Sequence, residues 1–398
     1  MNKIFNFINR YPITIGISLL TFSTFICVVI YNKYGSTNIF YFSIVIYLIC
    51  VFLFLVAANK YKDHKAWSII LLSSASFLLV LSLFDFYLIT FRYDTSGPGG
   101  ENVITHRHWF NTFVSKNEGG FWERSLAEFN NPLKKNNHLV IAVVGDSFTW
   151  GQGVEGKESR FTERLEKKLN SASGRERITV LNFGQGGADT FQEIGIVQKY
   201  VAKVHPDIVL ICYLTNDINV KNPLGNRKYY DTTGEKLSTI NPTINFIYWR
   251  LIGPNKYKNF GLLYMNNLVE AYKDPETFNH HINDIYKLIE EVRKIGARPI
   301  FVLLPFPQMW NLFPKSMRDN IYENIRNLVL LKKVPVIDLT YIEEKYSPGE
   351  FVVNSFDAHP NEKMHEEFAE AIYNWFMNHK DYLKTRRTSE HELGKLLG

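Results

Sequence analysis

Three long apolar stretches open this chain, at about Pro12 to Tyr31, Ile39 to Ala58 and Trp67 to Ile89. Each has about the 20 residues that a helix needs to cross a hydrocarbon core. A helix buried in a soluble core would show a polar face, and these show almost none. A cleavable signal peptide would have a shorter apolar region with a small-residue cleavage site, and two further spans would not follow it. The pattern predicts a membrane anchor of three transmembrane helices over residues 1–92, and everything downstream must fold beside a membrane.

Lysine and arginine set the orientation. Lys3 and Arg10 precede the first stretch, Lys33 alone lies between the first two, and Lys60, Lys62 and Lys65 crowd the second connection. The positive-inside rule places the N-terminus and that connection in the cytoplasm, so the chain beyond about Arg92 is extracytoplasmic. Asp85 lies near the outer end of the third stretch, beside Tyr87, Arg92 and Tyr93, where interface depth explains a carboxylate better than an intramembrane function.

The net charge of +6 includes the cytoplasmic lysines and predicts no nucleic-acid partner. The basic tail Lys384-Thr385-Arg386-Arg387 is short and lacks interleaved aromatics, as a solvated end would. Cys27 and Cys50 fall in predicted spans and Cys212 in a predicted buried strand, so no disulfide framework is expected.

Residues 93–137 are polar and irregular, yet carry Trp109, Phe110, Phe113, Phe121 and Trp122, too many aromatics for a free linker. An ordered lead-in packed along the next domain is expected. His106 and His108 could meet one metal only on an extended strand, and no third ligand is nearby.

From residue 138 to 398 the chain alternates in the βαβ manner that implies a parallel sheet. Candidate strands are Leu139–Val144, Ile178–Phe183, Ile208–Tyr213, Pro299–Pro305 and Val334–Asp338. Candidate helices lie near Arg160–Asn170, Thr190–Val204, Asn279–Ile295, Arg318–Leu331 and Glu362–Asn378. The expected fold is α/β, a flavodoxin-like three-layer domain with a five-stranded parallel sheet. Between Asn219 and Asn279 the order breaks down into an aromatic and basic insertion, read as a substrate-binding or membrane-facing cover.

The first strand ends in Gly145-Asp146-Ser147, which delivers a serine to the sheet's carboxyl edge, where such sheets place their chemistry. Downstream follow Asn182-Phe183-Gly184-Gln185-Gly186-Gly187, Thr215-Asn216-Asp217 and Asp357-Ala358-His359-Pro360-Asn361. Ser, Gly, Asn and His in that order resemble the SGNH (GDSL-type) esterase and acyl-hydrolase superfamily, over roughly Asn137 to Lys380.

The resemblance implies a serine esterase with Ser147 as nucleophile and His359 as base, and no cofactor or metal. It implies oxyanion donors at Gly187, five residues after Asn182, and at Asn216. Two departures stand out. Leu214 occupies the usual glycine position before Asn216, which bulks the strand edge without removing the donor. The usual Asp-x-x-His spacing is also lost, since Phe356 stands three residues before His359 and Asp357 only two. Residues two apart on an extended segment project to one side, so Asp357 can still orient the imidazole. The alternative is support of His359 by a carbonyl or by Asp338.

Other signals are set aside. Gly151 to Gly156 fits G-x-G-x-x-G, but Gly145-Asp146-Ser147 already fills the turn after the strand. Ser147 has no G-x-S-x-G elbow around it. His359 and His365 are too far apart for zinc pairing on one helix face, and His280-His281 reads as surface.

The expected function is a membrane-anchored, extracytoplasmic esterase acting on acyl esters such as O-acetyl groups of cell-envelope glycans. The alternatives are an O-acyltransferase moving acyl groups onto a glycan or lipid-linked substrate with a membrane acyltransferase partner, and an inactive glycan-binding scaffold.

Overall fold

The computed structural model describes residues 38–92, 103–127, 138–173, 177–219, 241–307, 312–354 and 357–383, with Ile15, Glu235 and Ser238 besides. The first predicted span and the basic tail thus lie outside the described residues, apart from Ile15. The chain divides into two units, Met1–Thr112 with Arg227–Lys258, and Phe113–Asn226 with Asn259–Gly398.

In the first unit the helices Asn38–Lys60 and Lys65–Thr90 pack on each other. Ala57, Ala58 and Ala75 are small enough to let the backbones approach, and Phe54 and Leu71 fill the seam. The outer faces expose large apolar side chains such as Phe52, Phe77, Val80 and Leu83. Among the described residues one helix, Lys65–Thr90, is long and apolar enough to cross a membrane, and Ile44–Lys60, within the helix Asn38–Lys60, is a shorter apolar stretch. Of the two predicted spans that fall within the described residues, one therefore meets the length and hydropathy that crossing requires.

The second unit is built on five parallel strands: β1 His138–Gly145, β2 Arg177–Gly184, β3 Ile208–Tyr213, β4 Arg298–Leu303 and β5 Val336–Asp338. Their order, β2-β1-β3-β4-β5, is the doubly wound flavodoxin-like order that the βαβ alternation predicts. Side chains on β1 alternate between two cores because the strand period is two. Leu139, Ile141 and Val143 face one core, lined by helices α1 Phe161–Ser173 and α5 Glu362–Asn378. Val140, Ala142 and Val144 face the other, lined by α2 Thr190–Lys199, α3 Pro275–Lys294 and α4 Lys315–Leu331.

β2 is an edge strand, and its outward N–H groups are covered by side chains. Ile178 N donates to Asn170 Oδ1 at 2.9 Å, Val180 N to Glu166 Oε2 at 2.7 Å, and Asn182 N to Glu123 Oε2 at 2.8 Å. Such cover keeps an edge from pairing with another chain. Glu123 belongs to the lead-in, which is anchored further by Arg160. That guanidinium is fully buried, donates to Trp122 O at 2.6 Å, lies 4.8 Å from the Trp122 ring centre and pairs with Glu163. The lead-in is ordered along this unit from Phe113 to Ala127, with Phe121 and Leu126 in the sheet core. Residues Ile104–Phe113 form a helix, so His106 and His108 are not on a strand.

The insertion, where the βαβ alternation breaks, is helical where described, with Pro242–Ile247 passing through a π-helical turn, Tyr248–Ile252, into Gly253–Lys273. Asn241 caps the first helix and Asp274 caps α3, each followed by proline, which pre-sets the helical φ. His281, read as surface, is buried against Tyr213, whose hydroxyl lies 2.9 Å from its Nε2. Burial without a charged partner drives its pKa down to about 3, so it stays neutral.

Candidate active site

In a doubly wound sheet the crevice opens where the strand order reverses, which here is between β1 and β3. Ser147 follows β1 and Asn216 follows β3, so the fold brings both to that point.

Ser147 begins the single helical turn Ser147–Trp150, capped by Asp146, whose Oδ1 accepts from Phe148 N at 2.9 Å. Gly145 is required by close approach. A Cβ there would stand 2.1 Å from Thr149 Oγ1 and 2.9 Å from Cys212 O. Ser147 Oγ lies 2.9 Å from His359 Nε2.

His359 is carried by a small antiparallel pair that the sequence reading did not include, β6 Val352–Asn354 and β7 Asp357–Pro360. Strand geometry turns Asp357 and His359 to one side, and the His359 Nδ1–H donates to Asp357 Oδ1. The same oxygen accepts from His359 N at 3.1 Å. With Nδ1 bearing the proton, Nε2 is the acceptor that faces the serine. Phe148 packs 5.5 Å from the imidazole between ring centres and restricts its movement. Asp338, the alternative support, is committed elsewhere. It pairs with Arg326 and accepts from Thr340 N at 2.9 Å.

Electrostatics favour a basic imidazole. Burial opposes the charge on His359, but the Asp357 carboxylate, its hydrogen bond and the charge of Asp146 outweigh that, and the pKa is raised.

Asn216 donates its Nδ2 to Asp146 Oδ2 at 3.2 Å, and Ser147 Oγ stands 3.4 Å from the same oxygen. Asp146 therefore fixes the amide of one site residue and the backbone turn of another. The sequence reading treated it only as part of a tripeptide, although an acceptor between a capped turn and an amide donor is what a buried Asp supplies. It is fully buried, and burial raises its pKa against the opposing hydrogen bonds from Phe148 N and Asn216 and the charge on His359. Its charge acts in turn on two more buried acids, Glu193 and Asp217, whose pKa values are raised well above the usual carboxylate range, by burial first and then by the neighbouring carboxylates. Asp217 also accepts from Leu214 N at 2.8 Å, which holds the turn after β3. Leu214 is wholly buried in the sheet core.

The hydroxyl of Tyr264 meets the Asn216 side chain, and burial together with the charges of Asp146 and Asp217 pushes its pKa up to about 12. Gly187 sits in the loop after β2 with φ +74°, a left-handed conformation that favours glycine. That loop is tied to the nucleophile's strand by Gln185 N, which donates to Gly145 O at 3.0 Å. Among the described residues no group of three His, Cys, Asp or Glu is arranged to hold a metal.

A serine hydroxyl, an imidazole and a carboxylate thus lie in one hydrogen-bonded line, beside an amide donor held by a buried aspartate. That set can run acyl transfer through a serine ester. The chain is similar to several solved structures. One is a lipase/acylhydrolase from Enterococcus faecalis, at 18% identity and TM-score 0.39, covering 61% of this chain and 96% of that one. Another is the lipase Lip_vut3 from a goat rumen metagenome, at 16% identity and TM-score 0.38, covering 59% and 95%. A third is a two-domain esterase active on acetylated mannans, at 16% identity and TM-score 0.36, covering 61% and 49%. No curated protein matches. The model of the GDSL-like lipase/acylhydrolase family matches residues 143–367, more than half of the chain and every site residue named above, and the chain belongs to that family.

Proposed function

We propose that this chain is a membrane-anchored, extracytoplasmic serine esterase that cleaves acyl esters. Ser147 Oγ attacks the acyl carbon while its proton passes to His359 Nε2, and Asp357 stabilises the imidazolium. The tetrahedral oxyanion is held by the N–H groups of Ser147 and Gly187 and the amide of Asn216. Collapse breaks the ester C–O bond, and His359 returns the proton to the departing alcohol. Water, deprotonated by His359, then releases the acid and restores Ser147. The observation that carries this reading is the 2.9 Å contact between Ser147 Oγ and His359 Nε2, with Asp357 on the far ring nitrogen.

The anchor is read from the apolar stretches and the helix Lys65–Thr90, and its orientation from the lysine pattern. An extracytoplasmic site beside a membrane suits O-acetyl groups of cell-envelope glycans, the substrate class we assign. If a sugar hydroxyl replaces water in the second step, the same acyl-enzyme makes the protein an O-acyltransferase, supplied by a membrane acyltransferase partner. The intact Ser147, His359 and Asp357 line disfavours an inactive glycan-binding scaffold.

The test is fluorophosphonate labelling and 4-nitrophenyl acetate hydrolysis by the full-length protein in detergent, beside Ser147→Ala and His359→Ala. Labelling and acetate release lost in both variants support the esterase. A folded wild-type protein that neither labels nor hydrolyses would remove the assignment of Ser147. Acetyl transfer to an added glycan faster than acetate release would favour the transferase.

A further inference from the structure

Within the first unit the start of the insertion presents an aliphatic face that hydration does not explain. The helix Pro242–Ile247 and its continuation Tyr248–Ile252 turn Asn245, Tyr248 and Trp249 inward, and Asn245 Oδ1 accepts from Ile104 N at 3.0 Å. Their outward face carries Ile244, Ile247, Leu251 and Ile252, exposed by 46, 44, 66 and 52%. A helix on a water-facing surface has the opposite pattern.

The anchorage of this segment says what covers it. Asp85, wholly buried on the helix Lys65–Thr90, accepts from Asn241 Nδ2 at 2.6 Å, Thr243 N at 2.9 Å and Thr243 Oγ1 at 2.6 Å. Phe84, on the preceding position, meets Phe246 edge-on with ring centres 6.0 Å apart. Asp85 stands five residues before the end of the apolar helix, roughly 7–8 Å along its axis at the α-helical rise. At that level stands Tyr87, a residue type enriched at membrane–water boundaries, its ring stacked with those of Phe84 and Phe91. Arg250 lies over the Phe246 ring at 5.8 Å, a cation where lipid phosphates would be.

We propose that residues 242–252 lie in the headgroup–acyl boundary of a phospholipid bilayer, with Ile244, Ile247, Leu251 and Ile252 among the upper acyl carbons and Asp85 holding the segment to the transmembrane helix. The exposed apolar surface of that helix, with Phe77, Val80 and Leu83, is continuous in character with this face, which is why lipid rather than a second copy of the chain is its occupant. The inference rests on the membrane reading of Lys65–Thr90, and the experiment separates the two.

Photoreactive benzoylphenylalanine is placed singly at Leu251, at Phe77 in mid-helix, and at the exposed Glu290, in full-length protein reconstituted with radiolabelled phosphatidylethanolamine and phosphatidylglycerol. Lipid adducts are expected at Leu251 and Phe77 and not at Glu290. Adducts at Phe77 alone would overturn the boundary location while leaving the span intact, and adducts at neither would remove the span itself. Protein–protein adducts at Leu251 in place of lipid would hand the face to a second copy and overturn the proposal. In an Asp85→Ala background the Leu251 adducts should fall to the Glu290 level while those at Phe77 persist. Unchanged Leu251 labelling in that background would show that Asp85 does not hold the segment.

Discussion

Asp85 and Asp146 are both wholly buried aspartates, one in each unit, and each collects three hydrogen-bond donors. Those of Asp85 are the Asn241 amide and the N–H and hydroxyl of Thr243, all at 2.9 Å or less. Those of Asp146 are the Phe148 N–H at 2.9 Å, the Asn216 amide at 3.2 Å and the Ser147 hydroxyl at 3.4 Å. The first set is tight and spent on holding a segment in place. The second is looser, and in the proposed mechanism two of its three donors have another task, the hydroxyl toward His359 and the amide toward an oxyanion. A buried carboxylate with satisfied partners stabilises architecture. One whose partners have a second task orients reactive groups.

The largest expected effect tests whether the line through Ser147 is the machinery. Ser147→Ala should reduce kcat for an activated acetate ester on the order of 10⁵- to 10⁶-fold, because members of such a unit fail together. Asp357→Asn should follow, at about 10⁴-fold, since an asparagine amide can favour the wrong imidazole tautomer. It carries a pH signature as well. The base works only when neutral, and the pKa of His359 is raised, so kcat/KM should climb with pH through a midpoint above the ordinary imidazole value of about 6.5. Removing the Asp357 charge leaves burial opposed only by the charge of Asp146, so the midpoint should move to lower pH. A midpoint that stays in place in Asp357→Asn would mean another group supports His359.

Asn216→Ala should cost about 10²- to 10³-fold in kcat, the usual loss for one oxyanion donor. Asp146→Asn should cost a similar factor although Asp146 neither attacks the ester nor carries the proton. Asparagine can keep its oxygen on Phe148 N, but its amide then faces the amide of Asn216, donor against donor. If Asp146→Asn retains full activity while Asn216→Ala does not, Asp146 is not the orienting group.

The contrast between the units also explains what was legible. The sheet was readable because β1 to β4 are buried on both faces and appear as largely apolar runs, interrupted in β2 only by Thr179 and Asn182, and α1 to α5 carry amphipathic patterns. Ser147, Asn216, Asp357 and His359 were readable because each follows or lies on an element end with a recognisable block. Asp146 was not, because its role depends on Asn216, which the fold brings close from 70 positions away. The link of Asp85 to Asn241 spans 156 positions and was equally invisible, so Asp85 could be given only a depth and no partner. The helices of the insertion are a different matter. Asn241-Pro242 and Asp274-Pro275 are start signals in plain view, masked by the aromatic and basic composition around them.

The smallest effect discriminates most sharply between the two aspartates. Asp85→Asn should lower thermal stability in detergent by about 1–3 kcal/mol, the cost of a buried donor left without its acceptor, and leave kcat unchanged. Exchanging the pair, Asp85→Asn with Asn241→Asp, should restore most of that stability. The new carboxylate at 241 can still cap Ile244 N, accept from the amide at 85 and accept from the Tyr47 hydroxyl, which lies 3.1 Å from Asn241 Nδ2. The same exchange in the other unit, Asp146→Asn with Asn216→Asp, also rebuilds a donor–acceptor pair, so stability should recover there too. Activity should not, because the group turned toward the oxyanion is then a carboxylate, which repels the charge that the amide was placed to hold. Rescue of kcat by the second exchange would mean that position 216 contributes only structure, and the difference drawn here between the two aspartates would disappear.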